Sequence, residues 1–168
     1  DQLTMLNILA SNNWKRPICF TSPYGEIGFG PYLRQEGMIF RLTPVRQQAR
    51  SMDLNRSDSL LRNVFRFGGA NTPGVYFDEE NRRHLLNLRA LFGEAAGDMA
   101  DAGDTIKAQK IIDKCEAGLH SENFPYAMAA RYNSHNQTAL IYLEGCYKAG
   151  KSALAEKVRQ AIKKDLED

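Results

Sequence analysis

Ala102-Gly103-Asp104-Thr105-Ile106-Lys107-Ala108-Gln109-Lys110-Ile111 and Ala149-Gly150-Lys151-Ser152-Ala153-Leu154-Ala155-Glu156-Lys157-Val158 are the two stretches whose reading decides the fold. They align at an offset of 47 residues: Ala-Gly, the Ala five places after the Gly, and a Lys followed by Ile or Val all recur. In each, a Gly ends one helix and a small Ala sits early in the next, where two helices touch. Two helical hairpins are therefore expected.

Working outward, Asp78 reads as an N-cap, with Glu79 and Glu80 in the first turn, where carboxylates complement the helix dipole. Leu85, Leu88, Phe92, Ala95 and Met99 then form the stripe of a helix with one buried face. Ala108, Ile111, Ile112, Cys115 and Leu119 give the second helix its inner face. Ser134-x-x-Gln137 has the form of a capping box. It opens a third helix, with Ala139, Leu143 and Cys146 inward, and Leu154, Val158, Ile162 and Leu166 mark the fourth. The pattern is tetratricopeptide-like. That repeat proper is about 34 residues, so the surplus falls in the loop around Asn123-Phe124-Pro125. Arrays of this kind need about three repeats, so the upstream residues must supply a capping surface.

Those upstream residues read as mixed α and β. Leu3, Met5, Leu6, Ile8 and Leu9 predict a short helix ending near Asn12-Asn13. Pro17–Thr21 and Met38–Leu42 are short apolar runs bounded by turn residues, the mark of strands. Between them lie a Gly-rich loop (Gly25, Gly28, Gly30) and Pro31–Gln35, read as a helix with proline in its first turn. Residues 46–75 read as a long polar loop with one short helix around Leu60 to Phe65. The expected class is thus α+β, mostly α. A small βαβ-like unit (residues 1–70) would pack on two tetratricopeptide-like hairpins (residues 71–168), together one compact domain.

Composition excludes several classes. The chain has 168 residues, 43% of them apolar and 25% charged. That is ordinary for a globular protein and unlike a disordered tail or a disulfide miniprotein. No apolar stretch approaches the ~20 residues that span a bilayer. The chain opens on Asp1 with no initiator Met or leader, and reads as a piece of a longer protein. Cys19, Cys115 and Cys146 are widely spaced, without a Cys-x-x-Cys pair or a His at ligand spacing, so neither a zinc site nor another metal is expected. His84, His120 and His135 are scattered, and no catalytic constellation is visible.

Charge is uneven. The net formal charge is +2, too small to predict nucleic-acid binding. Yet seven arginines and no lysine lie between Arg34 and Arg66. Guanidinium is a planar five-donor fork suited to carboxylate or phosphate. Two readings follow: an anion-facing surface, or arginines that are solvated or paired within the protein. Gly25-x-x-Gly28-x-Gly30, with Arg34 close by, could cradle a phosphate at a helix N-terminus. The alternative is glycines that merely permit a tight turn, since the spacing is not that of a dinucleotide fingerprint.

Four strings carry a resemblance: Ile8-Leu9-Ala10-Ser11-Asn12-Asn13-Trp14-Lys15-Arg16-Pro17-Ile18-Cys19-Phe20, Gly37–Pro44, Pro73–Arg83 and Glu122–Tyr126. Together they resemble the extracytoplasmic tail of protein O-mannosyltransferase-like membrane proteins of Bacteroidota, a domain of unknown function. That family usually has Tyr where this chain has Cys19. The resemblance implies a multi-spanning GT-C-type glycosyltransferase body upstream, using a polyprenyl-phosphate sugar, with this piece at the periplasmic face of the inner membrane. The family's catalytic carboxylate belongs to a loop near the first spans, so no catalytic residue and no cofactor is expected here.

On that basis Arg34, Arg41, Arg46, Arg50 and Arg56 are candidate anion-facing residues. They would be directed at the membrane-embedded body, anionic lipid headgroups or a protein acceptor, and not at nucleic acid. The expected function is a non-catalytic accessory domain that positions acceptor or stabilises the enzyme. The alternative is a tetratricopeptide-like adaptor. It would bind a protein or peptide in a groove between the helix at Leu85 and that at Ala139.

Overall fold

The computed structural model describes residues 2–23, 28–47, 52–128 and 133–167. They form two compact units, 1–57 and 58–168. The class is α+β, mostly α: six α-helices and a small three-stranded antiparallel sheet among the described residues.

The first unit begins with α1 (Gln2–Asn12), followed by β1 (Cys19–Phe20), β2 (Leu33–Glu36) and β3 (Ile39–Leu42). The sheet order is β1-β3-β2, with both pairings antiparallel. The expected βαβ-like crossover is therefore replaced. Pro31 sits in a single 3-10 turn, Gly30–Tyr32, and the residues read as helix continue as β2. Gly37, at φ 61°, and Met38 close a two-residue hairpin into β3. Leu-Arg-Gln-Glu has good helix formers. As a strand, however, its alternation matches β3 residue for residue, and pairing outweighs propensity.

Side chains alternate across a sheet, so its two faces differ. Leu33 and Leu42 pair on one face and are buried. Arg34, Glu36 and Arg41 share the other. The short α2 (Leu54–Ser59) closes this unit. Asp53 caps it by accepting the Arg56 N–H at 2.9 Å, while the Asp53 N–H donates to the Gln35 carbonyl. Buried Ser57 accepts the Gly37 N–H at 2.8 Å, which fastens α2 to the hairpin turn.

In the second unit one π-helical turn, Leu60–Val64, precedes an aromatic hook. Phe65 and Phe67 meet Phe92, with ring centroids 5.9 and 5.4 Å away. Residues 58–70 thus join the helices by their contacts, and the short helix expected around Leu60 to Phe65 is this turn. The helices are α3 (Glu79–Asp101), α4 (Thr105–Gly118), α5 (Ser134–Lys148) and α6 (Ser152–Glu167). α3 packs on α4 and α5 on α6 as two hairpins, and α3 also lies along α5.

The 47-residue repeat is visible in the backbone itself. Gly103 N–H donates to Ala100 O and Asp104 N–H to Met99 O; Gly150 N–H donates to Tyr147 O and Lys151 N–H to Cys146 O. Gly103 and Gly150 have φ of 87° and 74°, the left-handed stop that glycine supplies without strain. Ala108 and Ala155 are both fully buried. Between the hairpins, Gln109 donates to the Ala149 carbonyl at 3.0 Å, and Lys148 and Lys151 reach Asp101 and Asp113, each at 2.7 Å.

Asp78 caps α3, accepting the Asn81 N–H at 2.8 Å. The capping box at Ser134 does not form. Asn133, in the left-handed region at φ 56°, is the boundary residue, and it makes no side-chain cap bond. Ser134 is thereby already inside the helix. Two stripe positions, Leu85 and Leu88, are half-buried, whereas Leu86 and Arg89 are buried. α3 is covered from two sides, so its buried arc is wider than a single stripe. Leu143 and Leu154 are also half-buried, and Leu166 is exposed.

Candidate functional site

The arginine-rich stretch converges on one carboxylate. Glu36 has only 5% of its side chain exposed. Arg34 Nη2 lies 2.8 Å from its Oε1, Arg41 Nη1 3.6 Å away and Arg56 Nε 4.0 Å from Oε2. Arg34 also reaches Asp53 at 3.5 Å. Strand register explains the cluster. Arg34 and Arg41 are directly paired across β2 and β3, where like charges repel. Glu36, two residues along the same face, neutralises them, and α2 brings Arg56 from the side.

Three of the five candidate anion-facing arginines, 34, 41 and 56, therefore meet at an internal anion. Arg46 is exposed, and Arg50 lies outside the described residues. Arg41 and Arg56 keep 43% and 59% of their side chains exposed, so they retain donors facing water. Of the Gly-rich loop, Gly25 lies outside the described residues. Gly28, at φ 81°, has nothing within 4 Å of where a Cβ would stand, and Gly30 opens the 3-10 turn. Among the described residues, a 3-10 turn and then β2 follow these glycines in place of the expected α-helix, and Arg34 is bonded to Glu36.

A second polar cluster sits inside the helical unit. Arg89, on α3, is 2% exposed. Its Nη1 donates to Pro125 O at 3.0 Å, and its Nη2 donates to Phe124 O at 2.8 Å and Leu119 O at 3.3 Å. Its guanidinium carbon lies 4.8 Å from the Tyr126 ring centre and 5.9 Å from that of Tyr142. Glu116, on α4, accepts both phenols, Tyr126 at 2.5 Å and Tyr142 at 2.8 Å. Burial, reinforced by the Glu116 carboxylate, pushes both phenols far above their usual range. Cys115 and Cys146 are buried free thiols, each pushed up to about 12 by burial. They remain protonated and chemically quiet. The cluster ties α3, α4, α5 and the loop 119–126 together.

The sequence held one signal for this cluster. Arg89 is a charged residue three positions before Phe92, inside the stripe expected to be buried.

α3 and α5 run parallel and touch backbone to backbone. A Cβ on Gly93 would stand 2.6 Å from Tyr142 Cα, and one on Gly145 2.2 Å from Gly93 O. At this crossing nothing separates the backbones of the helix at Leu85 and that at Ala139. Among the described residues, no group of three or more His, Cys, Asp or Glu side chains can hold a metal ion. No helix among them is long and apolar enough to cross a membrane.

Residues 1–61 match the model of the TMEM260-associated domain 2. The sheet, the arginine cluster and α2 all fall within this match. That part of the chain is thus similar to a domain from a membrane-protein family. No curated protein and no solved structure matches the chain.

Proposed function

We propose that this chain is a non-catalytic, extracytoplasmic C-terminal domain of a multi-spanning membrane glycosyltransferase of the protein O-mannosyltransferase-like kind. It would stand at the periplasmic face of a bacterial inner membrane, as in Bacteroidota, positioning acceptor or stabilising the enzyme. The observation that carries this reading is the match of residues 1–61 to a domain associated with a membrane-protein family. The strings Ile8–Phe20 and Gly37–Pro44, on which the glycosyltransferase resemblance rests, lie inside it. The interior suits a scaffold: Glu36 and Glu116 are spent holding their own elements in place.

The test deletes this segment from the full-length membrane protein and compares glycan profiles of the cells. The expected result is a loss of glycosylated acceptor while the membrane body still transfers sugar to a short peptide. An unchanged profile, or sugar-donor turnover by the isolated chain, overturns the reading. One observation favours the adaptor alternative. Leu140, Ile141 and Tyr147 stand 52%, 45% and 49% exposed on α5, an apolar surface of the kind a protein partner covers.

A further inference from the structure

The amino-terminal helix has no buried side chain. Leu3 is 71% exposed, Leu6 54% and Ile8 45%. A helix of 11 residues is marginal in water unless an apolar face is packed away; in α1 Met5 and Leu9 are half-buried, while Leu3, Leu6 and Ile8 stay exposed. Leu3, Leu6 and Ala10, at i, i+3 and i+7, form one stripe; Thr4, Asn7 and Ser11 form the stripe beside it.

The end of the helix is held in an unusual way. The Asn12 side chain donates to the Arg16 carbonyl at 2.7 Å and accepts the Arg16 N–H at 3.1 Å. Within that bracket Asn13 and Trp14 have φ of 43° and 57°. A bulky residue in the left-handed region is rare. Here it turns Trp14 outward, 48% exposed, beside Lys15 and Arg16. From Gln2 to Pro23 these two cations are the sole charged residues. Neither forms an ion pair among the described residues, in contrast to Arg34, Arg41 and Arg56. Thr4, Asn7, Ser11 and Asn12, with Lys15 and Arg16, line an open depression of about 580 Å³ without a carboxylate.

We propose that α1 and the Asn12–Arg16 turn form a docking edge for an anionic lipid surface. Leu3, Leu6 and Trp14 enter the interface, and Lys15 and Arg16 hold headgroup phosphates at the depression. Two features select an anionic bilayer. Tryptophan prefers the membrane–water boundary. Lys15 and Arg16, without an ion pair among the described residues and beside exposed Leu6 and Trp14, complement a negatively charged surface. The inference concerns the isolated chain and does not depend on the chemistry of any parent enzyme, so either reading can fail without the other.

Trp14 is the only tryptophan of the chain, so its emission reports the docking directly. The purified chain is titrated with phosphatidylglycerol–phosphatidylcholine vesicles and, separately, with pure phosphatidylcholine. The expected result is a blue shift on the anionic vesicles that weakens as salt is raised. Each cation near an anionic surface contributes about fivefold, so the double variant Lys15→Gln, Arg16→Gln should partition roughly 25-fold more weakly. The double variant Leu3→Ser, Leu6→Ser should lose binding while keeping the far-UV circular dichroism of the parent.

Three results overturn the proposal. One is no shift on anionic vesicles. Another is equal binding by the Lys15, Arg16 variant or to uncharged vesicles. The last is a concentration-dependent shift without vesicles, which would assign the face to a second copy of the chain.

Discussion

Adding one methyl group at the α3–α5 crossing tests the architecture most directly. The Cβ of Gly145→Ala would stand 2.2 Å from Gly93 O and 2.7 Å from Gly93 C and Cα. Unstrained carbon contacts lie at about 3.5–4.0 Å. These neighbours are backbone atoms, so no rotamer change relieves the clash, and the helices must part by about 1 Å. Overpacking of this kind costs up to about 3 kcal/mol. Alanine returns about 1 kcal/mol through its better helix propensity. The net loss is therefore about 2 kcal/mol, which lowers the melting temperature of the helical unit by roughly 10 °C. Gly93→Ala should cost a similar amount.

The double variant should cost less than the sum, since both methyl groups fill the same gap. Gly97→Ala is the internal control. Its Cβ would meet the flexible Lys148 Cδ at an ordinary 3.5 Å, leaving only the propensity gain of up to about 1 kcal/mol. Thermal melts by circular dichroism read all four variants. If Gly145→Ala melts at or above the parent, or Gly97→Ala falls as far as Gly93→Ala, the backbone-to-backbone crossing is wrong.

Arg89→Met should cost about 2–4 kcal/mol, because three carbonyls of the 119–125 loop lose their donor inside the unit. Urea midpoints measure this, and Arg89→Lys should not restore it, since one ammonium lacks the guanidinium fork. Glu36→Gln should weaken the sheet by about 1–2 kcal/mol, leaving paired Arg34 and Arg41 without their shared anion. Faster amide hydrogen exchange at β2 and β3, with α4 unchanged, is the expected signature. The Cys115 thiol, raised from 9.0 to about 12 in the folded chain, sets an alkaline limit. Below pH 9 both states keep the proton; above it the unfolded chain releases it first. Stability should therefore fall by about 1.4 kcal/mol per pH unit from 9 towards 12 on account of this group. Cys115→Ala should lessen the slope by about that amount in urea titrations across the window, with Cys146 and the buried phenols supplying the remainder, and an unchanged slope would count against the burial.

The helical hairpins were legible because their signals are local. Gly103 and Gly150 stop helices by their own backbone freedom, Asp78 caps through its own side chain, and Ala108 and Ile111 repeat at helical spacing. The sheet was only half legible. β1 and β3 are apolar runs, but Leu33–Glu36 becomes a strand because β3 offers it a partner, and no window of four residues contains that information. The candidate site follows the same division. A run of arginines without lysine announces affinity for an anion. That the anion includes Glu36, one strand turn away, is set by register.

By itself, then, the sequence determined the helix stops, the helix count of the second unit, the 47-residue repeat and the mostly helical class. Tertiary structure decided where charge goes: three arginines onto one carboxylate, and a guanidinium among three carbonyls and two phenol rings. It also decided that two glycines let α3 and α5 meet backbone to backbone. Local patterns fix what a segment prefers to be. Pairing register and close approach depend on residues far apart in the chain, and these exist only once the chain has folded.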